Sequence, residues 1–143
     1  MGYGEGKLYS VNVPLQDGMD DESYKYMFEP IMQKVMESYQ PGAIVVCGGA
    51  DSLSGDKLGC FNLSLQGHSN CIEFLAAFGT PMLVLGGGGY TMRNVARCWC
   101  YETGRLLGLD LPDDIPPAAY GDYDYYMDTH KLRIAGGWKA GRL

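Results

Sequence analysis

The stretch PMLVLGGGGYTMRNVARCW, Pro81 to Trp99, ends an apolar run with four consecutive glycines and a tyrosine, and a helix-like segment follows. Glycine loses more backbone freedom on folding than any other residue, so four in a row need a reason. Bare backbone beside a phenol has two chemical uses. At a helix N-terminus its N–H groups could hold a phosphate. It could instead wall a narrow channel, with Tyr90 pointing into it. The run is not a Walker loop, because no Gly-Lys-Ser/Thr follows, and it does not match G-x-G-x-x-G. Spacing alone does not choose between these uses.

A second group able to do chemistry is Asp51, the first carboxylate beyond the apolar run AIVVCGG. A carboxylate there can present a metal ligand or orient a base. It can equally be a turn aspartate that accepts nearby backbone N–H groups, as Asp56 in SGDK is expected to be. His68 falls in the first turn of a predicted helix and His130 in an irregular tail. Lone histidines are more often structural than ligands. Zinc usually takes three protein ligands; no H-x-x-x-H motif occurs, and Asp-x-His occurs only as Asp128-Thr129-His130 in the irregular tail.

These groups need elements to place them. LYSVNVPL, Leu8 to Leu15, alternates and reads as a strand. An acid-rich helix start follows, with apolar residues at helical spacing from Met27 to Tyr39, so a helix is predicted over roughly Asp21 to Tyr39. Pro30 is expected to kink it or to split it in two. Ala43–Cys47 and Pro81–Leu85 are continuously apolar, as parallel strands covered on both faces would be. Helices are predicted over Gly67 to Phe78, with Gly79 as its stop, and over Met92 to Leu107, with Thr91 as cap and Gly108 as end. Alternating helices and strands give an α/β fold with a parallel sheet. In such sheets ligands gather at the carboxyl ends of the strands, and the Asp51 and Tyr90 loops would open on that one rim. Missing sheet neighbours should leave apolar surface exposed beside the strands. After Gly108 the chain becomes rich in Pro, Asp and Tyr. HKLRI is read there as one short strand, and AGGWKAGRL as loose.

The chain has 143 residues, 46% of them hydrophobic, which is enough for one modest core. Its net charge of −6 argues against direct nucleic-acid binding, since phosphate backbones need a basic face. Acidic residues gather at Asp17, Asp20, Asp21 and Glu22 and again from Asp110 to Asp128. They form a solvated surface or, on a sharper reading, one that attracts basic peptides. The five cysteines show no C-x-x-C spacing and read as reduced thiols of an intracellular compartment. No signal peptide and no membrane-spanning run is evident.

Three segments carry a resemblance. DGMDDESY, GADSLSGDKLGCFNLSLQGH and LGGGGYTMRNVARCWCYETG are similar to the C-terminal half of class I zinc-dependent histone deacetylases. The match is long and ungapped from about Leu8 to about Gly108 and fainter to Ile134. The division it implies is residues 1–111 as the C-terminal portion of a deacetylase catalytic domain and residues 112–143 as an irregular, acidic, Tyr-rich tail. The fold implied is part of an open parallel-sheet, three-layer sandwich of the arginase/deacetylase kind.

By this resemblance Asp51 matches a zinc ligand, and Tyr90 matches the tyrosine that polarises the acetyl-lysine carbonyl. Gly88 matches the wall of the substrate channel, and Leu58 its rim. Lys57 and Arg93 match basic residues that bind inositol phosphate where the enzyme meets its corepressor. The implied activity is zinc-dependent removal of acetyl groups from histone lysines, in repressive chromatin complexes in the nucleus and also in the cytoplasm. The sequence also departs from the family. Lys57 stands where the family has Arg, VVCGGAD stands for LQCGAD, and AGGWKAGRL is unlike the family's C-terminal helix region. The paired histidines, the Asp-x-His zinc motif and the potassium sites have no counterpart. A truncated deacetylase product is therefore expected, with one of three zinc ligands and no turnover on its own. The alternative is a non-catalytic module that binds corepressor or inositol phosphate.

Overall fold

The structure is a computed structural model that describes residues 2–119, Tyr126 and residues 129–134. Its main helices are α1 (Asp21–Tyr39), α2 (Leu65–Ala76) and α3 (Met92–Leu106), and its strands are β1 (Ile44–Cys47) and β2 (Met82–Leu85). β1 and β2 pair in parallel, with Ile44 opposite Met82 and Cys47 opposite Leu85, and α2 lies between them in the chain. The class is α/β, as expected from the alternation of apolar runs and helical periodicity.

The starts of α1 and α2 are capped by side chains. Asp20 caps α1 through a capping box with Ser23. Asp21 accepts from both the amide and the hydroxyl of Ser64, whose own oxygen caps α2 at Gly67. Two acids of the supposed solvated surface thus join the beginnings of two helices. α2 begins at Leu65, two residues before the predicted Gly67, because the Ser64 side chain caps it. Phe28 stacks edge-on to Phe74 and Tyr24 meets Phe61, so α1 packs on α2 and its surroundings. The innermost residues are Leu53, Leu63, Ala50 and Cys98, joined by Val95 and Leu65.

Several expectations are corrected. Leu8–Leu15 is not a strand. Leu8 sits in a turn at φ 74°, and the rest runs irregularly beside α1, with Val11, Val13 and Leu15 facing Met27 and Ile31. Alternation without a neighbouring strand has nothing to pair with. Pro30 does not divide α1, because proline removes only its own N–H from the ladder and the flanking turns are held by the cap and by α2. The strands are not covered on both faces. Val46 faces Phe28, Ile72 and Leu75, but Val45, Leu83 and Leu85 are 67%, 55% and 47% exposed. That exposed apolar strip is the one anticipated beside the strands. HKLRI makes a single antiparallel bridge, Lys131 to Asp114, rather than a strand. AGGWKAGRL, and DYDYY apart from Tyr126, lie outside the described residues. All five cysteines are free thiols, and no described helix is long and apolar enough to cross a membrane.

Candidate active site

The parallel register brings the loops after β1 and β2 out side by side. Their pairing continues past the strands: the Gly48 amide donates to the Leu85 carbonyl at 2.8 Å and the Ala50 amide to the Gly88 carbonyl at 2.7 Å. The loops touch backbone to backbone. A Cβ placed on Gly87 would lie 2.9 Å from the Gly49 Cα, and one on Gly88 would overlap the Asp51 carboxylate. The glycine run is bare because a second loop lies on it. Gly88→Ala should therefore push the carboxylate aside and cost about 1–3 kcal/mol, as overpacking does. A denaturant melt of the purified chain, with Gly42→Ala at an open position as control, measures this.

Asp51 and Gly88 share a cavity of about 400 Å³ with His68, Cys71, Tyr24 and Phe28. Among the described residues the half-buried Asp51 side chain accepts no hydrogen bond, so it is not the turn aspartate that its position allowed. Asp56 is one: it accepts from the Leu58 and Gly59 amides. It also accepts from the Tyr90 and Thr91 amides on the other loop. Tyr90 does not line the Asp51 cavity and is 44% exposed. Lys57 and Leu58 are exposed on the Asp56 turn, Leu58 at 72%. Arg93 is exposed in the first turn of α3. The structure thus joins Asp51 to Gly88 directly, and ties the Lys57–Leu58 turn to Tyr90 through Asp56. Thr91 starts α3 without its hydroxyl capping the helix, because that hydroxyl donates to the Gly55 carbonyl.

A group missed in the sequence lies beneath this rim. His68 Nε2 is 2.8 Å from the Gly49 carbonyl, and His68 Nδ1 meets Glu102. Cys98 Sγ is 3.4 Å from Glu102 and 3.7 Å from His68 Nδ1. All three residues are buried. The Gly49 carbonyl can only accept, so Nε2 carries a proton, and Nδ1 faces the Glu102 carboxyl, which favours a second proton on the ring. Burial pulls the His68 pKa down, but the Glu102 hydrogen bond and charge, the Gly49 carbonyl and the Asp51 charge outweigh it, and the pKa is raised. Burial, then the Glu102 charge, lifts the Cys98 thiol far above its usual range, so it stays protonated. Three donors this close could in principle ligate an ion. In this structure the three side chains contact one another directly as a hydrogen-bonded cluster. Its one legible sign was Glu102 four residues after Cys98, on the inward stripe of α3.

The cavity fits one arm of a metal site. Asp51 offers an uncommitted carboxylate, but the nearest imidazole has both nitrogens engaged. The Cys71 thiol, pushed up to about 12 by burial and by neighbouring acids, stays neutral. Of the groups lining this cavity only the Asp51 carboxylate is uncommitted, fewer than the three ligands that zinc usually takes.

The parallel α/β rim thus presses the Asp51 carboxylate onto the glycine loop, with Tyr90 further along the same loop and outside the Asp51 cavity. Residues 1–106 match the histone deacetylase domain, and the chain belongs to the histone deacetylase family. It is 59% identical over 94% of its length to histone deacetylase 19 of Arabidopsis thaliana. It is 57% identical over 94% to histone deacetylase RPD3 of Saccharomyces cerevisiae, and 56% over 94% to histone deacetylase 1 of Homo sapiens. The chain covers 26%, 30% and 28% of those relatives, so it spans little more than a quarter of their length. The family is zinc-dependent in general.

Proposed function

We propose that this chain forms the tyrosine-bearing side of a histone deacetylase active site, for hydrolysis of N-acetyl-lysine on histones to lysine and acetate. The observation that carries the reading is the contact of Gly88 with Asp51, which fixes a free carboxylate beside the Tyr90 loop. Asp51 is the residue that would hold zinc, with the other ligands coming from outside the described residues; the metal, when bound, supplies Lewis-acid polarisation. The chain's own residues shape the channel and stabilise the developing charge. Gly88 leaves space for an extended acyl-lysine chain, and Leu58 forms part of its rim. The Tyr90 hydroxyl donates a hydrogen bond to the oxygen on which charge develops.

Lys57 and Arg93 would hold an inositol phosphate at the contact with a corepressor subunit. Lys57 does so as a point charge, since it lacks the arginine fork. The setting is repressive chromatin in the nucleus.

The test is complementation. The chain is mixed with a separately expressed N-terminal half of a class I deacetylase, and zinc content and acetyl-lysine turnover are read. An assembled pair with zinc and turnover supports the reading, and Asp51→Asn should remove both. An assembled pair with no turnover, or turnover indifferent to Asp51→Asn, defeats it.

A further inference from the structure

Asp56 does more than shape a turn. Its Oδ1 accepts from the Leu58 and Gly59 amides at 2.9 Å each. Its Oδ2 accepts from the Tyr90 amide at 2.8 Å and the Thr91 amide at 3.3 Å, across 34 and 35 positions of sequence. The first pair is an ordinary aspartate turn, made within three residues. The second pair reaches the other loop at the start of α3. Two further bonds support it: the Thr91 hydroxyl donates to the Gly55 carbonyl, and the Asn94 side-chain Nδ2 donates to the Ser54 carbonyl. A helix start carries amides with no partner inside the helix, and the Thr91 side chain does not serve them. The Asp56 carboxylate serves the entry to that start from outside the helix.

We infer that Asp56 is a positioning residue: one carboxylate that locks the Lys57–Leu58 turn to the backbone of Tyr90, so that rim and phenol keep a fixed relation. The inference rests on the proposed role of Tyr90. The chemistry of the group fits the task. Burial pushes the Asp56 pKa up, but the amides of Gly59, Tyr90, Leu58 and Thr91 outweigh it, so the group stays ionised and both oxygens accept. Four amide donors need four lone-pair sites, and an ionised carboxylate has them. Asparagine has only one acceptor oxygen. Whichever pair it kept, its NH2 would face the two donors of the other pair.

Amide hydrogen exchange on the purified chain tests the lock. Asp56→Ala should speed exchange together at Leu58, Gly59, Tyr90 and Thr91, by about tenfold or more, as local opening does. Asp56→Asn should speed only one of the two pairs. Ile72 and Leu75 in α2 should be unaffected in both variants. Equal acceleration in α2 would make the effect a global loss of stability and overturn the inference, as would no acceleration on the Tyr90 loop in the alanine variant.

Turnover in the complemented pair tests the consequence. Asp56→Asn should lower kcat about 10- to 100-fold with little change in KM, as expected of a misplaced catalytic group. In a Tyr90→Phe background the same change should cost less than about twofold, because contacting or shared groups are non-additive. A full additional loss in that background would show that Asp56 does not act through Tyr90. A wild-type pair that assembles but turns nothing over would defeat the parent reading, while the exchange pattern still decides the lock.

Discussion

Glu102→Ala should destabilise the chain by about 3–5 kcal/mol, the cost of leaving a buried charge without its partner. The charge is the His68 imidazolium, held between Glu102 and the Gly49 carbonyl, two residues before Asp51. Without the carboxylate the ring must lose a proton or carry it unpaired. Glu102→Gln should cost less, because the amide oxygen can still accept from Nδ1. The effect has a pH signature. The His68 pKa is raised in the folded chain, so the stability it contributes is fully present below the unfolded value of about 6.5 and is lost as pH rises through the folded value. The gap between wild type and Glu102→Ala should therefore narrow as pH is raised above about 6.5. Denaturant melts across that range measure it. A gap that widens with pH would mean that the pair is not an imidazolium and a carboxylate.

Tyr90→Phe should lower kcat of the complemented deacetylase about 100- to 1,000-fold, the usual effect of deleting one oxyanion donor. KM should change far less, since the hydroxyl acts where charge develops rather than on the resting amide. The phenyl ring keeps the packing, and the backbone anchor from Asp56 is untouched, because it grips the amide and not the side chain. Assembly and zinc content should therefore match wild type, which separates this variant from Asp51→Asn. Steady-state kinetics with an acetyl-lysine peptide decides it, and a loss smaller than about fivefold would put the oxyanion donor elsewhere.

Much of the scaffold was legible because its causes are local. The acid-rich start of α1 and the Gln40-Pro41-Gly42 stop mark that helix, and Gln40 closes it in the left-handed conformation. Two short apolar runs separated by a helix gave the parallel pair. The failures share a different cause. Val45 and Leu83 carry an apolar pattern suited to a layer that the described residues do not contribute, so the sequence reads as buried what the structure leaves open. His68 and Glu102 meet across two helices, and nothing local pairs them. Asp56 looked like a turn residue because one of its oxygens is; the other oxygen's partner lies 34 positions on. Asp51 and Tyr90 were singled out by their place after the strands, but their roles came from resemblance and not from spacing.

Arg97 bears on where the folding unit stops. Its buried guanidinium donates to the carbonyls of Lys131 and Thr129 at 2.7 Å each and lies under the Tyr126 ring. Leu132 sits in the core beside Ala50, Leu53 and Cys98, and Leu111 and Ile134 pack against the same cluster. The match to the family domain ends at residue 106. The architecture does not end there: a cut at that point would strip a cation of its acceptors and open a hole where a leucine had been. The border of the family domain and the border drawn by packing are thus different lines: the second encloses the residues up to Ile134, and the likeness to the relatives, over 94% of the chain, also runs past residue 106.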